Sequence, residues 1–587
     1  MNHCIHTCLC AISLLALTAC APIRPTPTTA TADRTAGTLP AAVEYDLGEA
    51  MLLQERFAEE SRFRKMPVRL NGIIAAPIEG NGPYPVVVIF HGNHPGCPIP
   101  PGDEVDRWPC DPAVEQPNYR GFAYLVSHLA AQGYVALSIN INAENTFGFG
   151  EPTPGERLKQ VVELHLNALA TAAAGGNNPF GVELAGRVEL DRLVFFGHSR
   201  GGEAGYQLAH HDGPLWPTAP ERPNGPVAGL LLIAPAIISV ELAGSEAPMA
   251  IILPACDQDV NDQQGQYFFE RARLDPEQQH WVTSVWLEAA NHNFFNETLR
   301  DEAAVRPARP DCDPLLTADQ QRTFLTEYAV DFLTALLSND PTARDRASTR
   351  MGIELQRPAP DELYGYAARV ALLSLRADRR PLLIPATADE LTTHLAGGRV
   401  TNEGLTTFFC EAGYYTPFVK PGSEPCKRAN VTIPGNPAMV VLSWSQIGAT
   451  LRLALPETEG NLSRYTAISL RVAVDPLSAL NVTETPQRFS VQLTDRSGQS
   501  ASVTTRPMEP ALRFPVGYVD EEDPIFAGGL FTGRAPMTTI RLQLRDFVGV
   551  DSHEISEIAL VFDQTATGSL FMGDLELVGA PTKGSGE

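Results

Sequence analysis

"RLVFFGHSRGGEAGYQLA", residues 192–209, carries the sharpest local signal in the first half of the chain. An apolar and aromatic run enters Gly197-His198-Ser199-Arg200-Gly201-Gly202, and a helix-forming segment follows. Two readings compete. Either Ser199 is a nucleophile on a sharp strand-to-helix turn, or this is a glycine-rich connection and nothing more. G-x-S-x-G alone decides little in a chain with 47 glycines. Context decides more, because an exposed serine needs a buried strand ending at Gly197 and a helix starting just after it. Both conditions are predicted here. Side chains at 197 and 201 would collide with neighbouring backbone, and the helix start supplies N–H donors and partial positive charge.

Working outward, residues 41–340 alternate strand-like and helix-like segments, the pattern of a parallel sheet with crossover helices. "YPVVVIFHG" (84–92) reads as a strand buried on both faces, and "YRGFAYLVSHLAAQGYVALSIN" (119–140) as a helix, a Gly133 stop and another strand. "ERLKQVVELHLNALATAA" (156–173) has helical apolar spacing. "VAGLLLIAP" (227–235), "PMAIILPACDQDV" (248–260) and "VTSVWLEAANHNFF" (282–295) supply later strands, and "RTFLTEYAVDFLTALL" (322–337) closes with an amphipathic helix.

A serine hydroxyl is a poor nucleophile until a base takes its proton, and the base needs an orienting acid. In a strand-ordered hydrolase these follow as Ser, acid, His at the ends of later strands. "IILPACDQDV" offers Asp257, with Asp259 as the alternative acid, and "WLEAANHNFF" offers His292.

With those residues in view, 41–340 resembles a serine hydrolase of the α/β-hydrolase fold, related broadly to dienelactone-hydrolase, acetylhydrolase and cutinase-like esterases. The elbow "GHSRGG", the "HG" at 91–92, the Asp-x-x-Val at 257–260 and the "NH" at 291–292 carry the likeness. It implies a triad of Ser199, Asp257 and His292, an oxyanion hole from the N–H groups of Asn93 and Arg200, and ester hydrolysis through an acyl-enzyme without cofactor. The Pro-rich segment 97–119 and the segment 210–226 are candidate pocket walls; Trp108, Trp216, Phe147 and Phe149 either line an acyl pocket or are ordinary packing.

The ends of the chain bear on partners. "AISLLALTACA" (11–21) is too short to span a bilayer as a mature helix. Leu17-Thr18-Ala19-Cys20 resembles a bacterial lipobox, implying lipidation of Cys20, a membrane anchor and a place in the cell envelope, or else secretion. Residues 1–10 lack Lys and Arg, so an uncleaved buried apolar segment is the other reading. Residues 1–20 are expected as signal peptide and 21–40, rich in Pro, Thr and Ala, as a tether. Beyond the leader six cysteines remain, in near pairs 97/110, 256/312 and 410/426 among fifteen pairings that six allow. An even count in an exported chain favours disulfides over a metal site. A net charge of −25 excludes affinity for nucleic-acid phosphates.

After residue 380 the apolar residues alternate with period two. Ile468, Leu470, Val472 and Val474 mark one strand; Phe489, Val491 and Leu493 another. The expectation is therefore an α/β fold, a doubly wound, mostly parallel sheet, followed by an all-β sandwich. Its parts are a catalytic domain (41–340), a helical connector (341–384) with a helix over 362–375, and a sandwich (385–580). The sandwich resembles a galactose-binding-like jelly roll in its strands and its ending "GSLFMGDLELV" (568–578). That likeness implies a glycan partner or a packing module, and makes Asp574 a candidate structural-calcium ligand. The functional expectation is a serine esterase acting on small or polymeric esters. The alternatives are a lipase or peptidase, or an inactive binding or adhesion protein.

Overall fold

A ten-stranded sheet runs through the first part of the protein, in the order β1-β2-β4-β3-β5-β6-β7-β8-β10-β9. The computed structural model describes residues 39–54, 57–61, 63–101, 108–147, 154–209, 227–237, 247–260, 263–300, 312–410, 438–475, 478–482, 485–515 and 536–579. Cys20, Phe149, Trp216 and Cys426 lie outside them, as do 210–226 and the side chain of Phe147.

The strands of this sheet are β1 (Val43–Leu53), β2 (Lys65–Ala75), β3 (Tyr84–Phe90), β4 (Val135–Ile139), β5 (Val188–His198), β6 (Val227–Ile233), β7 (Met249–Pro254), β8 (Val282–Leu287), β9 (Glu362–Leu363) and β10 (Tyr366–Leu373). Strands β3 to β8 make the five parallel pairings, while β1/β2, β2/β4, β8/β10 and β9/β10 are antiparallel. The sheet is therefore mixed. Among the described residues strand also exceeds helix, 35% against 25%. The doubly wound, mostly parallel α/β-hydrolase architecture expected from the sequence is not what forms.

One cause is legible in β10. Residues 362–375, expected as a helix, form a hairpin instead, with Tyr364 (φ 54°) and Gly365 (φ 80°) as its two turn residues. Positive φ at both positions matches the twist that closes a two-residue hairpin. Ala368 and Val370 enter one core while Ala371 and Leu373 enter the other. A strand covered on both faces reads as a continuous apolar run, which periodicity alone does not separate from a buried helix.

The same division explains the centre of the sheet. Val86, Val88 and Phe90 of β3 face one core, and Val87 and Ile89 the other. Each buried aliphatic or aromatic side chain contributes about 1.5–3 kcal/mol. Helices α3 (Pro154–Ala173), α4 (Arg200–Ala209) and α5 (Gln266–Leu274) cover the first face; α1 (Ala123–Ala131) and α6 (Ala318–Leu337) cover the second. Short α2 (Asn142–Phe147) follows β4, and α7 (Pro341–Arg350) follows α6.

Two antiparallel sheets follow. One joins β13 (Leu405–Cys410), β14 (Met439–Trp444), β21 (Gly568–Gly579), β16 (Tyr465–Val474) and β19 (Thr538–Gln543), with β11 (Arg379–Leu383) on β21. The other joins β12 (Val400–Glu403), β15 (Ala449–Ala454), β20 (Ile555–Phe562), β17 (Ser490–Asp495) and β18 (Ser500–Thr504). Leu442, Leu470, Val491 and Leu560 share one apolar core between them.

The described residues from Leu39 onward form one compact unit, with these sheets packed against the first. Arg273 of α5 donates to the carbonyls of Ile384 (2.6 Å), Gly573 (2.8 Å) and Ala438 (3.0 Å). Arg369 of β10 donates to the carbonyls of Pro510, Arg513 and Phe514. Buried guanidinium groups at this junction find their acceptors only when the two parts are docked.

Candidate active site

Ser199 sits between β5 and α4 with φ at 54°, a left-handed conformation rare for a residue with a side chain. Such a residue costs about 1–3 kcal/mol and persists only where its surroundings over-determine it. They do so here. The Ser199 N–H donates to Ile233 O (2.9 Å), and its carbonyl accepts from Gly202 N (2.9 Å) and Ala236 N (3.2 Å). A Cβ on Gly197 would come within 2.2 Å of Gly201 O, and one on Gly201 within 2.4 Å of Phe90 O. The elbow closes because those two positions carry no side chain.

The acid and base come from the ends of β7 and β8. His292, fully buried, places Nδ1 2.8 Å from Oδ2 of Asp257. The other Asp257 oxygen accepts from the N–H of Asp259 (2.9 Å) and of Val260 (2.7 Å), so the D-x-x-V loop fixes its own carboxylate. Asp259 has a different position: its half-exposed carboxylate lies 3.7 Å from Nε2 of His292. Of the two acids, Asp257 orients the ring. Cys256, next to Asp257, is bonded to Cys312, and Cys97, after the "HG" turn, is bonded to Cys110.

Two side chains, one of them (Gln321) without any signal in the sequence, hold the His292 loop. Gln321 on α6 receives the Asn291 N–H (3.0 Å) and donates to the Asn291 carbonyl (2.6 Å). His198 donates from Nε2 to the carbonyl of His292 (3.0 Å), its ring 4.7 Å from the His292 ring. The residue before Ser199 therefore anchors the loop of His292.

The "HG" turn is locked in a comparable way. Gly92 O accepts from Nδ1 of His91 (2.8 Å), Nδ2 of Asn145 (2.7 Å) and the N–H of His94 (3.1 Å). His91 accepts the Ile141 N–H at Nε2 (3.0 Å), which leaves its proton on Nδ1. Burial pushes its pKa down to about 4, against smaller upward effects of its hydrogen bonds, so it stays neutral. In a planar trans peptide the N–H of Asn93 points opposite to the Gly92 carbonyl, away from these donors. A Cβ on Gly92 would meet Ser199 Cβ at 2.8 Å, so the turn lies directly against the serine.

Arg200 begins α4, where the first N–H groups of a helix point outward. Its guanidinium is buried and paired with Glu203 (3.7 Å). Nearby, Arg157 binds Glu144 at 2.9 Å. Burial raises the Glu144 pKa to about 7, even with Arg157 and Arg200 pulling it down. The Arg200 charge is thus spent inside this cluster, and its backbone is the part next to Ser199.

Compared with known proteins, the chain matches no family model and no curated sequence.

The calcium expectation does not fit the atoms around Asp574. Asp574 is a poor calcium ligand: Oδ1 lies 3.2 Å from Arg273 and Oδ2 2.6 Å from Arg471. Both oxygens are already engaged by cations, and both arginines also bind Glu270 (2.7 and 2.6 Å). Burial pushes the Glu270 carboxyl up, but Arg471 and Arg273 outweigh it and hold its pKa below the ordinary value. Among the described residues no group of three or more His, Cys, Asp and Glu could hold a metal ion. Trp108 donates to Pro67 O (2.7 Å) and stacks under Arg69, lining a cavity of about 330 Å³ whose walls include none of Ser199, Asp257 and His292.

Proposed function

We propose that the protein is a serine hydrolase cleaving carboxylic esters through an acyl-enzyme. The observation that carries this reading is the 2.8 Å pair of Asp257 and His292, whose loop is held by the residue preceding a strained Ser199. Ser199 Oγ bonds to the ester carbonyl carbon while its proton passes to Nε2 of His292. Asp257 holds the resulting imidazolium. The carbonyl electron pair moves to oxygen, which the N–H groups of Asn93 and Arg200 stabilise. Collapse expels the alcohol, which takes the proton from His292. Water then repeats the sequence on the acyl-enzyme and frees Ser199. None of these steps uses a cofactor.

The lipobox-like 17–20 and the Pro/Thr/Ala-rich stretch after it support an envelope location through a lipid on Cys20, with an ester-bearing small molecule or polymer as substrate. For the antiparallel sheets, the buried contacts of Arg273, Arg369 and Arg471 support a packing role.

A fluorophosphonate probe tests the reading, followed by p-nitrophenyl esters from acetate to palmitate. Labelling of the wild type and not of Ser199→Ala is expected. An unlabelled wild type, or equal labelling of both, would sink the proposal.

A further inference from the structure

We infer that the side chain of His94 is a third oxyanion donor, its Nε2–H joining the N–H groups of Asn93 and Arg200. This inference rests on the serine-hydrolase reading and adds a catalytic residue that the family likeness did not supply.

The first observation is an unsatisfied atom. Nε2 of His94 is buried yet has no hydrogen-bond partner among the described residues. Buried polar atoms in folded proteins are nearly always paired, and an exception calls for a reason. The second is where that atom points. The position a Cβ would take on Gly92 is 2.8 Å from Nε2 of His94 and 2.8 Å from Cβ of Ser199. The two atoms therefore flank one small space over Gly92 and lie no further apart than twice that distance. Glycine keeps this space empty, and the Asn93 N–H belongs to the same turn.

The third observation is that the ring is held. His94 stacks on His198, centroids 6.0 Å apart and planes 28° from parallel. Its N–H is tied to Gly92 O (3.1 Å), and its carbonyl receives Nδ2 of Asn118 (3.4 Å). A donor fixed before the reaction costs no reorganisation when charge develops.

The protonation state suits the role. Burial, and then the imidazoles of His91 and His292, push the His94 pKa down to about 3. A neutral ring has one N–H to donate, does not repel the imidazolium forming on His292, and is too weak a base to replace it. Neutral imidazole is a competent electrophile towards a carbonyl oxygen. The proton account is unchanged: Ser199 gives its proton to His292, and His94 keeps its own while its hydrogen bond shortens onto the oxyanion.

The experiment compares wild type, His94→Ala, His94→Gln and His94→Phe in the full chain, by p-nitrophenyl acetate turnover and by fluorophosphonate labelling of Ser199. The thermal midpoint of each variant identifies those that fold. Removing one oxyanion donor costs roughly 10²–10³-fold in kcat. His94→Ala and His94→Phe are expected to fall that far with KM within about threefold, as a transition-state contact requires. His94→Gln, which restores an N–H, is expected to recover at least about tenfold over His94→Phe. If His94→Phe keeps wild-type kcat, stacking is the whole role and the inference is overturned; equal kcat of the Gln and Phe variants overturns it too. A wild type that neither labels nor turns over refutes the hydrolase reading instead, so the two failures are distinguishable.

Discussion

His292 contacts Asp257 through Nδ1 at 2.8 Å, across 35 positions of chain, and turns its other nitrogen towards Asp259 at 3.7 Å. With the proton on Nδ1 held by Asp257, Nε2 is the basic nitrogen, and Asp259 lies on the side where a proton arrives. The two acids therefore do different work. Asp257→Asn is expected to lower kcat about 10⁴-fold by favouring the wrong tautomer. Asp259→Asn, at an exposed carboxylate, is expected to change kcat less than about tenfold. Ester turnover of the two variants checks this, and the reverse ranking would refute it.

The elbow makes a second prediction. A methyl on Gly201 would come within 2.4 Å of Phe90 O and 2.5 Å of His91 O, both backbone atoms that cannot swing aside. Gly201→Ala is expected to destabilise the fold by at least about 2 kcal/mol, as overpacking does. It should also slow labelling of Ser199, because relief requires moving α4. Urea midpoints and labelling rates measure both effects.

Asp574 gives the third. As the shared partner of Arg273 and Arg471, it neutralises buried charge where α5 meets the antiparallel sheets. Asp574→Ala is expected to cost about 3–5 kcal/mol, the range for an uncompensated buried cation. A chelator is expected to leave the wild-type melting temperature unchanged. A drop on chelation would restore the calcium assignment.

Glu144 ties stability to pH. Its folded pKa, about 7, is raised above its ordinary value of 4.5 by burial. The folded state therefore holds a proton that the unfolded state has released, and stability from this group falls as pH rises from about 4.5 to 7. Below that window both states are protonated. Glu144→Gln removes the titration, so the stability of wild type relative to the variant is expected to decline between pH 5 and pH 7.5. A difference that stays flat, measured by denaturant unfolding at the two pH values, would show that Glu144 is ionised throughout.

Much of the candidate site was readable from local pattern. Gly197 and Gly201 around Ser199, Val260 three residues after Asp257, and Gly92 after His91 each answer a constraint satisfied within a few residues. Asp257 and Asp259 follow the same strand; the Asp-x-x-Val pattern favours Asp257, and the position of His292 gives the two acids their separate geometries. Gln321 and Asn145 gave no signal: a glutamine in an amphipathic helix or an asparagine after a strand is unremarkable until its partner is known. His94 stood in view beside "HG" but had no role until its Nε2 was placed beside Ser199. The hairpin of β9 and β10 was missed, although Tyr364-Gly365 is a plausible two-residue turn, because the apolar run after it also fits helical spacing.

By itself, then, the sequence determined what short-range sterics and alternation can determine: a buried strand before Ser199, a helix after it, glycines where backbone crowds, and period-two strands after residue 380. The mixed order of the first sheet, the fusion of the antiparallel sheets to α5, and the anchoring of the His292 loop by His198 and Gln321 came only with the tertiary structure. The physical reason is range. Local conformation depends on neighbours along the chain, whereas sheet edges, buried ion pairs and the facing of two imidazoles depend on which surfaces must leave water together, and no single segment carries that information.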